Sequence, residues 1–287
     1  MKTKIYVPLI TPFKENGEVD YEGLAKATKF VLKDGADGIY ACGGSSEFTL
    51  LNVEERKKCL ETIIANAGGK EVIAHVGSQN TRDAVELAIH AEKAGAVMLS
   101  AVAPYYFGYS FAQVKEYFHT IAHATKLELM IYNAAQARTY TLPEMKEILE
   151  DEKITAVKYT GYNFYFLERL IQAYPNKIFY TGADEMFLCG QAVGAHGAIG
   201  TTFNFYSGEY VRAAELFHSG KKEEALNIIH KTNTSVELFY ETSSSLALTK
   251  YIMTVKGLDI LPISRAPFTP LPEEFKAKVK KVIESLN

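Results

Sequence analysis

The sequence predicts an α/β fold in which eight parallel strands close into a (β/α)8 barrel, the TIM barrel. Short apolar runs alternate with longer amphipathic stretches from the N-terminus to about residue 200, as expected for repeated strand–helix units. No linker rich in proline and serine interrupts this alternation. The chain has 287 residues, a length that α/β barrels commonly occupy as one domain.

An open, doubly wound parallel sheet is the alternative fold for the same alternation. Such a sheet has a glycine-rich, phosphate-binding turn after its first strand. Residues 8–13 read PLITPF at that point. The sequence therefore favours the closed barrel.

Eight segments have the length and apolar character of buried strands, namely residues 5–10, 38–42, 71–76, 97–102, 127–132, 154–159, 177–181 and 197–200. Capping residues mark several of the intervening helices. Ser110 and Gln113, and likewise Thr141 and Glu144, have the spacing of a capping box. Gly95 follows the last turn of a predicted helix, where a left-handed residue is favoured.

The strand pattern stops after residue 200, and helical patterns fill segments 208–219, 222–241, 245–256 and 272–286. This is more helix than closure of the barrel requires. We therefore predict a barrel over residues 1–207 and a C-terminal helical extension over residues 208–287, which together form one functional unit.

Composition excludes several classes of function. The net charge is −3 and the pI is about 6.2, which gives no electrostatic basis for binding nucleic acid or an anionic membrane. No apolar run is long enough for a signal peptide or a membrane span. Three scattered cysteines without a CxxC motif indicate reduced thiols. We therefore expect a soluble, cytoplasmic protein.

The candidate site follows from the fold, because active sites of such barrels lie at the C-terminal ends of the strands. Segment 154–160 reads ITAVKYT, so Lys158 and Thr160 leave the same face of one strand. An ordinary lysine, with a pKa of ~10.4, is almost entirely protonated at pH 7. Burial lowers that pKa and makes the amine a nucleophile toward ketones. The alternative for Lys158 is a strand-end side chain that extends to solvent.

Other predicted strands end in residues that complement an amine. Tyr132 supplies a phenol that can move protons, and the loop at residues 43–47 reads GGSSE. Asp184 and Glu185 form an acidic pair after the seventh strand. An amine, a phenol and donors for a carboxylate are the requirements for imine chemistry on a 2-oxo acid. Alternatively, Tyr132 is a strand-end aromatic, the loop a simple turn and the acidic pair a helix cap.

Histidine and cysteine positions do not predict a metal site. His75 lies in the third predicted strand, and no other histidine, cysteine or carboxylate has zinc-like spacing near it. We interpret His75 as a hydrogen-bonded histidine of the core.

Four passages of the sequence resemble a known family: residues 73–77 (IAHVG), 100–111 (SAVAPYYFGYSF), 182–185 (GADE) and 197–204 (GAIGTTFN). They are similar to the pyruvate-dependent class I aldolases and lyases typified by dihydrodipicolinate synthase and N-acetylneuraminate lyase. The resemblance covers residues 4–275, and the quoted passages are most similar to the N-acetylneuraminate lyase branch.

This resemblance implies cleavage of N-acetylneuraminate to pyruvate and N-acetylmannosamine by a homotetramer that uses a lysine Schiff base and neither cofactor nor metal. It implies that Lys158 forms the imine and Tyr132 shuttles a proton. It also implies that Tyr106 reaches a neighbouring subunit's site. The implied substrate-binding residues hold the pyruvate carboxylate or read the sugar chain: Gly44, Ser45, Ser46, Thr160, Gly182, Asp184, Glu185 and Thr201.

The sequence departs from the family pattern at two positions. Gly44 replaces the hydroxyl residue that links two tyrosines in relatives, with Ser45 or Ser46 as candidate substitutes, and Ala135 replaces a common proline. Other readings therefore stay open: an aldolase or dehydratase for another 2-keto-3-deoxy sugar acid, a dihydrodipicolinate synthase-like condensation, or a silent relative that binds a 2-oxo acid or sugar.

Overall fold

The computed structural model describes residues 2–286. Its centre is a closed barrel of eight parallel strands in sequence order, which confirms the predicted fold class. The strands are β1 (Lys4–Pro8), β2 (Gly38–Ala41), β3 (Glu71–His75), β4 (Met98–Val102), β5 (Leu129–Ala134), β6 (Ile154–Thr160), β7 (Ile178–Thr181) and β8 (Gly197–Ile199).

Helices surround the barrel and continue beyond it. They are α1 (Tyr21–Leu32), α2 (Val53–Asn66), α3 (Thr81–Ala94), α4 (Phe111–Ala122), α5 (Leu142–Leu149), α6 (Phe164–Ala173), α7 (Phe187–Ala192), α8 (Phe203–His218), α9 (Lys222–Glu237), α10 (Ser245–Val255) and α11 (Glu273–Ser285). Four one-turn 3-10 helices lie at Gly44–Ser46, Phe48–Leu50, Asp184–Met186 and Leu238–Glu241.

The predicted helix ends are confirmed. Ser110 and Thr141 each form a complete capping box, at the starts of α4 and α5. These boxes satisfy backbone N–H groups that have no partner inside the first turn. Gly95 ends α3 with a φ of 97°, a left-handed conformation that glycine adopts without a steric penalty.

Side chains fill the lower and middle parts of the barrel, so the interior is a core and not a channel. The inward-facing cluster consists of Tyr6, Tyr40, Ile73, Met130, Ala156, Tyr180 and Ile199. A larger apolar layer lies between the strands and the surrounding helices. The space for chemistry is therefore confined to the C-terminal ends of the strands.

The C-terminal helices pack against the barrel, as the sequence predicts: α8 packs on α9 and β1, and α10 packs on α8 and α11. Helix α8 crosses the boundary drawn between residues 207 and 208, and a non-helical residue, Tyr206, interrupts it close to that point. The division into 1–207 and 208–287 stays a prediction. Within residues 2–286, no helix has the length and apolar character needed to cross a membrane.

Candidate active site

Lys158 and Tyr132 occupy paired positions on neighbouring strands. They are register partners in the β5–β6 ladder, so both side chains point into the same end of the barrel. Lys158 Nζ lies 4.2 Å from the centre of the Tyr132 ring and 4.7 Å from that of Tyr40. The sequence predicts the first contact, whereas Tyr40 is an additional neighbour that it did not single out.

The environment of Lys158 favours the neutral amine. The residue is 5% exposed, and burial lowers its pKa to about 8, with only the Asp184 carboxylate acting in the opposite direction. A pKa of about 8 leaves roughly one amine in ten unprotonated at pH 7, against about one in a few thousand for a free lysine. This amine is therefore available as a nucleophile.

The Tyr132 side chain is half-buried, and its hydroxyl lies beside the loop at residues 43–47. Burial raises its pKa, which a nearby Thr160 hydroxyl partly offsets, so the phenol is protonated at neutral pH. A Cβ atom added to Gly44 would lie 3.7 Å from the Tyr132 hydroxyl and touch nothing else within 4 Å. Gly44 therefore leaves open space beside the phenol.

The two serines of this loop have different surroundings. Ser45 Oγ lies 2.9 Å from Thr201 Oγ1, and both residues line the cavity described below. Ser46 Oγ donates a hydrogen bond of 2.6 Å to the carbonyl oxygen of Leu9 and is buried. Ser45 is thus the hydroxyl presented to a ligand, whereas Ser46 fastens the loop to the end of β1.

Thr160 and Gly182 meet beside Lys158. A Cβ atom on Gly182 would lie 2.0 Å from Thr160 Oγ1 and 3.1 Å from Lys158 Cε, so only glycine fits at this position. The Thr160 hydroxyl is buried and has no partner at ordinary hydrogen-bond distance among residues 2–286, although it lies near enough to the Tyr132 phenol to affect the pKa of that group. It is therefore free to bind a ligand group in the cavity.

Asp184 lies below the cavity surface and is buried. Its Oδ2 accepts hydrogen bonds of 2.7 Å from the backbone N–H and from the hydroxyl of Thr202. Burial raises its pKa to about 6, although these hydrogen bonds and Lys158 act to lower it. The Asp184 carboxylate and the Lys158 amine act on each other's pKa through their opposite charges.

Around these residues lies a cavity of about 430 Å³, within the range of about 300–1,000 Å³ usual for small-molecule sites. Seven of the predicted site residues line this cavity: Gly44, Ser45, Tyr132, Lys158, Thr160, Gly182 and Thr201. The sequence analysis missed Phe48, Thr49, Val102, Tyr105, Ala134, Gln136, Ala137, Ile199 and Leu246. Those that lie next to the C-terminal ends of strands could have been found from the predicted strand positions. Leu246 belongs to α10, and the strand–helix pattern of the barrel does not predict where that helix lies.

Comparisons with known proteins agree with this geometry. The family model for the dihydrodipicolinate synthetase family matches residues 1–286. The chain belongs to this family. It is 35% identical to N-acetylneuraminate lyase of Rhizobium meliloti (strain 1021) over 281 residues, covering 97% of this chain and 93% of the relative. It is 36% identical to N-acetylneuraminate lyase of Fusobacterium nucleatum, covering 89% of each.

Solved structures of the dihydrodipicolinate synthetase family superpose closely on the chain. The protein CdNal from Clostridium difficile, solved in complex with mannosamine, is 30% identical, with a TM-score of 0.95 and 99% of each chain covered. These findings identify the chain as a carbon–carbon lyase of the class I aldolase type.

The sequence analysis groups Glu185 with the substrate-binding residues, whereas in the structure its side chain lies apart from the cavity. Tyr162 donates a hydrogen bond of 2.6 Å to Glu185 Oε1, and Asn233 Nδ2 of α9 donates one of 3.1 Å to the Glu185 carbonyl oxygen. Glu185 does not line the cavity. A ligand would reach its carboxylate only at the outer side of the site, in competition with Tyr162.

Tyr106 also lies outside the cavity, on the loop between β4 and α4. It is 78% exposed, and its ring contacts Phe107 edge to face. The adjacent Tyr105 lines the cavity. The exposed rings therefore lie next to the site.

An ion pair with both side chains fully buried braces the loop that carries Gly44 and Ser45. Lys250 Nζ of α10 donates hydrogen bonds of 2.6 Å to Glu47 Oε1 and 2.7 Å to the carbonyl oxygen of Ile263. The backbone N–H of Arg265 donates to Glu47 Oε2 at 2.9 Å. Sequence analysis gave no role to this network, because Glu47 lies more than 200 residues from Lys250 and Arg265 in the chain.

The structure confirms His75 as a hydrogen-bonded core residue. Its Nδ1 lies 3.0 Å from the carbonyl oxygen of Cys42, and the backbone N–H of Val102 donates to its Nε2 at 3.3 Å. Burial lowers the pKa of His75 well below its usual value. The neutral ring is part of the packed interior of the barrel, at the end of β3.

Proposed function

We propose that this protein cleaves N-acetylneuraminate to pyruvate and N-acetylmannosamine through an imine on Lys158. The observation that carries the proposal is a buried amine with a pKa of about 8 that opens into a cavity beside a phenol. Its relatives named N-acetylneuraminate lyase at 35% and 36% identity support the choice of substrate.

Imine formation begins with the neutral Lys158 amine. Its lone pair attacks the C2 ketone of the open-chain sugar acid; the carbinolamine then takes up one proton from solvent and loses water, which leaves a protonated imine. This cation accepts the electron pair of the bond that breaks next, so the lysine serves as the electron sink and the step needs no further cofactor. The Asp184 carboxylate stabilises positive charge on that nitrogen.

Cleavage then breaks the bond between C3 and C4. The C4 hydroxyl loses its proton and becomes the aldehyde of N-acetylmannosamine, while the bond's electron pair forms the enamine of pyruvate. Because the Tyr132 phenol is protonated at neutral pH, it takes the C4 proton as it passes its own to the substrate carboxylate. Protonation of the enamine at C3 and addition of water release pyruvate and the free amine.

Substrate is held from two sides. The loop bearing Gly44 and Ser45 lies next to the Tyr132 hydroxyl and supplies donors for the carboxylate. The unpartnered Thr160 hydroxyl contacts the sugar chain beyond C4. Gly182 and Thr201 line the same wall of the cavity. Asp184 lies behind this wall and Glu185 outside it, and we assign both carboxylates to recognition of the polyol tail.

Steady-state assays with N-acetylneuraminate test the substrate. The purified protein should release pyruvate and N-acetylmannosamine in equal amounts, and Lys158→Ala should release neither. Glu185→Ala should lose about 1–3 kcal/mol of transition-state binding, the usual cost of a lost hydrogen bond to a charged group, while still forming the pyruvate imine. Inert N-acetylneuraminate would contradict the proposal.

A second candidate is an aldolase or dehydratase for a shorter 2-keto-3-deoxy sugar acid. The position of Glu185 favours it, because this carboxylate lies outside the cavity and is bonded to Tyr162. Turnover of the shorter acid alone, unaffected by Glu185→Ala, would select this candidate and leave the lysine chemistry intact.

We also propose a homotetramer in the cytoplasm. Tyr106 and Phe107 are 78% and 66% exposed next to the cavity, and apolar side chains in this position are well suited to an interface between subunits. Light scattering at micromolar concentration should give four times the chain mass. A monomer would contradict the proposal and leave Tyr106 without its role.

A further inference from the structure

Three side chains capable of binding metal meet on the outside of the barrel, next to the N-terminal ends of β5 and β6 and so at the other end of these strands from Tyr132 and Lys158. His119 lies in the last turn of α4 and His123 directly follows it, while Asp151 belongs to the connection between α5 and β6. The ligand atoms of these residues all lie within 4.8 Å of one another. The sequence analysis predicted no metal site, because Asp151 is distant in sequence from the two histidines.

One carboxylate oxygen brings the cluster together. Asp151 Oδ2 lies 2.9 Å from His119 Nδ1 and 3.1 Å from His123 Nε2. The two imidazole rings lie side by side, with centroids 4.2 Å apart. Spacing of four residues on one helix turns both rings to the same face, so one nitrogen of each ring is directed at the same oxygen.

We propose that His119, His123 and Asp151 bind a divalent transition metal ion, with zinc as the preferred ion. In a tetrahedral zinc site with bonds of about 2.0–2.1 Å, neighbouring ligand atoms are about 3.3 Å apart. The two nitrogen–oxygen separations of 2.9 and 3.1 Å are already close to that edge. Two imidazoles and a carboxylate form one face of the tetrahedron, and water supplies the fourth ligand.

The surroundings of Asp151 orient it for this role. The backbone N–H of Lys153 donates to Asp151 Oδ1 at 2.9 Å, and His123 Nε2 lies 3.2 Å from this oxygen, so Oδ2, which both histidines contact, is the oxygen available to the metal. Lys177 Nζ contacts the carbonyl oxygen of Asp151, at 3.1 Å, rather than its carboxylate. Outer hydrogen bonds of this kind fix the orientation of a ligating carboxylate. The side chain of Asp151 is 15% exposed, against 55% for His119 and 47% for His123, so the site is anchored on one side and open to solvent on the other.

Metal binding would affect stability and not chemistry. The ion would join the end of α4 to the residues just before β6, the strand that carries Lys158. A ligand that binds the folded chain and not the unfolded one raises the unfolding temperature as its concentration rises. Without metal, the same three side chains form a hydrogen-bonded cluster, and this is the arrangement that the experiment must distinguish.

The test uses full-length protein without a histidine tag, treated with chelator and dialysed. Zinc titration by calorimetry and thermal unfolding with and without zinc are measured for the wild type, His119→Gln and His123→Gln. His90→Gln is the matched control, because His90 Nε2 contacts a single carboxylate, Glu61, at 2.8 Å. Thermal unfolding without zinc checks that each variant is folded.

We expect the wild type and His90→Gln to bind one equivalent of zinc and to unfold at a higher temperature in its presence. Each of the other two variants should bind at least about tenfold more weakly and lose the temperature shift. Cobalt bound to the wild type should show the intense visible bands of tetrahedral coordination. Equal zinc binding by all four proteins, or none by the wild type, would overturn the proposal and leave a hydrogen-bonded cluster only.

Discussion

Lys158 and Lys250 are two buried lysines with the same lowered pKa and different surroundings. Burial lowers the pKa of each to about 8, and they are 5% and 0% exposed. Lys250 donates to the Glu47 carboxylate at 2.6 Å and to a backbone carbonyl. Lys158 has no ion-pair partner within residues 2–286 and faces a cavity.

The difference shows that a lowered pKa does not by itself identify a reactive amine. Lys250 is enclosed by its partners and by the Phe13 ring, 4.4 Å away, so no substrate carbonyl can approach it. Lys158 has an open approach and a phenol beside it. Under the proposed function, Lys158 performs the chemistry, and Lys250 holds the loop that we propose binds the substrate carboxylate.

Replacement of Lys158 should have the largest effect on activity. Lys158→Met keeps an unbranched side chain of similar shape but removes the nucleophile, so pyruvate release should fall below detection. Thermal unfolding should occur at the same temperature or higher, because a buried amine without an ion-pair partner destabilises the fold. Measured cleavage by this variant would assign the imine to another residue.

Replacement of Lys250 should act on stability instead. Lys250→Met leaves the Glu47 carboxylate buried without its partner, which costs about 3–5 kcal/mol. Urea denaturation should show this loss, and the double variant with Glu47→Gln should recover part of it. If Lys250→Met were as stable as the wild type, the ion pair would not be the brace of the loop.

The pH dependence of the reaction should report Lys158. Imine formation needs the unprotonated amine, so kcat/KM should fall about tenfold per pH unit below about pH 8 and level off above it. The Asp184 charge raises the pKa of Lys158, and Asp184→Asn should therefore move the inflection to lower pH. An unmoved inflection would show that another group titrates.

A hydroxyl restored beside Tyr132 should give the smallest effect. Gly44 has room for a side chain, so Gly44→Ser should fold normally and place its hydroxyl close to the phenol. One additional hydrogen bond is worth about 0.5–1.5 kcal/mol, and kcat should change by about 2- to 10-fold. Gly44→Ala has the same Cβ without the hydroxyl. If both variants have equal kcat, the position takes no part in proton transfer.

The barrel could be predicted from sequence because its signals are local. Strands alternate with amphipathic helices, and boxes such as Ser110–Gln113 mark helix starts within four residues. The ends of the strands then locate Lys158 and Tyr132, since the fold itself brings strand ends to one rim. The positions of these two residues could therefore be predicted from the order of the strands and helices along the chain.

Features that depend on distant contacts could not be predicted. Lys250 reaches Glu47 across 203 residues, and Asp151 meets His123 across 28. The two serines of the loop are equivalent in sequence, and only the contact of Ser46 with Leu9 separates them. Likewise, nothing in the sequence indicates that Glu185 accepts a hydrogen bond from Tyr162 outside the cavity.

Borohydride reduction in the presence of pyruvate tests the distinction between the two lysines most directly. Reduction converts an imine into a stable secondary amine, so the intact mass should rise by one reduced pyruvate per chain. Peptide mapping should place the added mass on Lys158 and leave Lys250 unmodified, and Lys158→Met should gain none. No adduct on the wild type, or an adduct on Lys250 or any other lysine, would contradict the account.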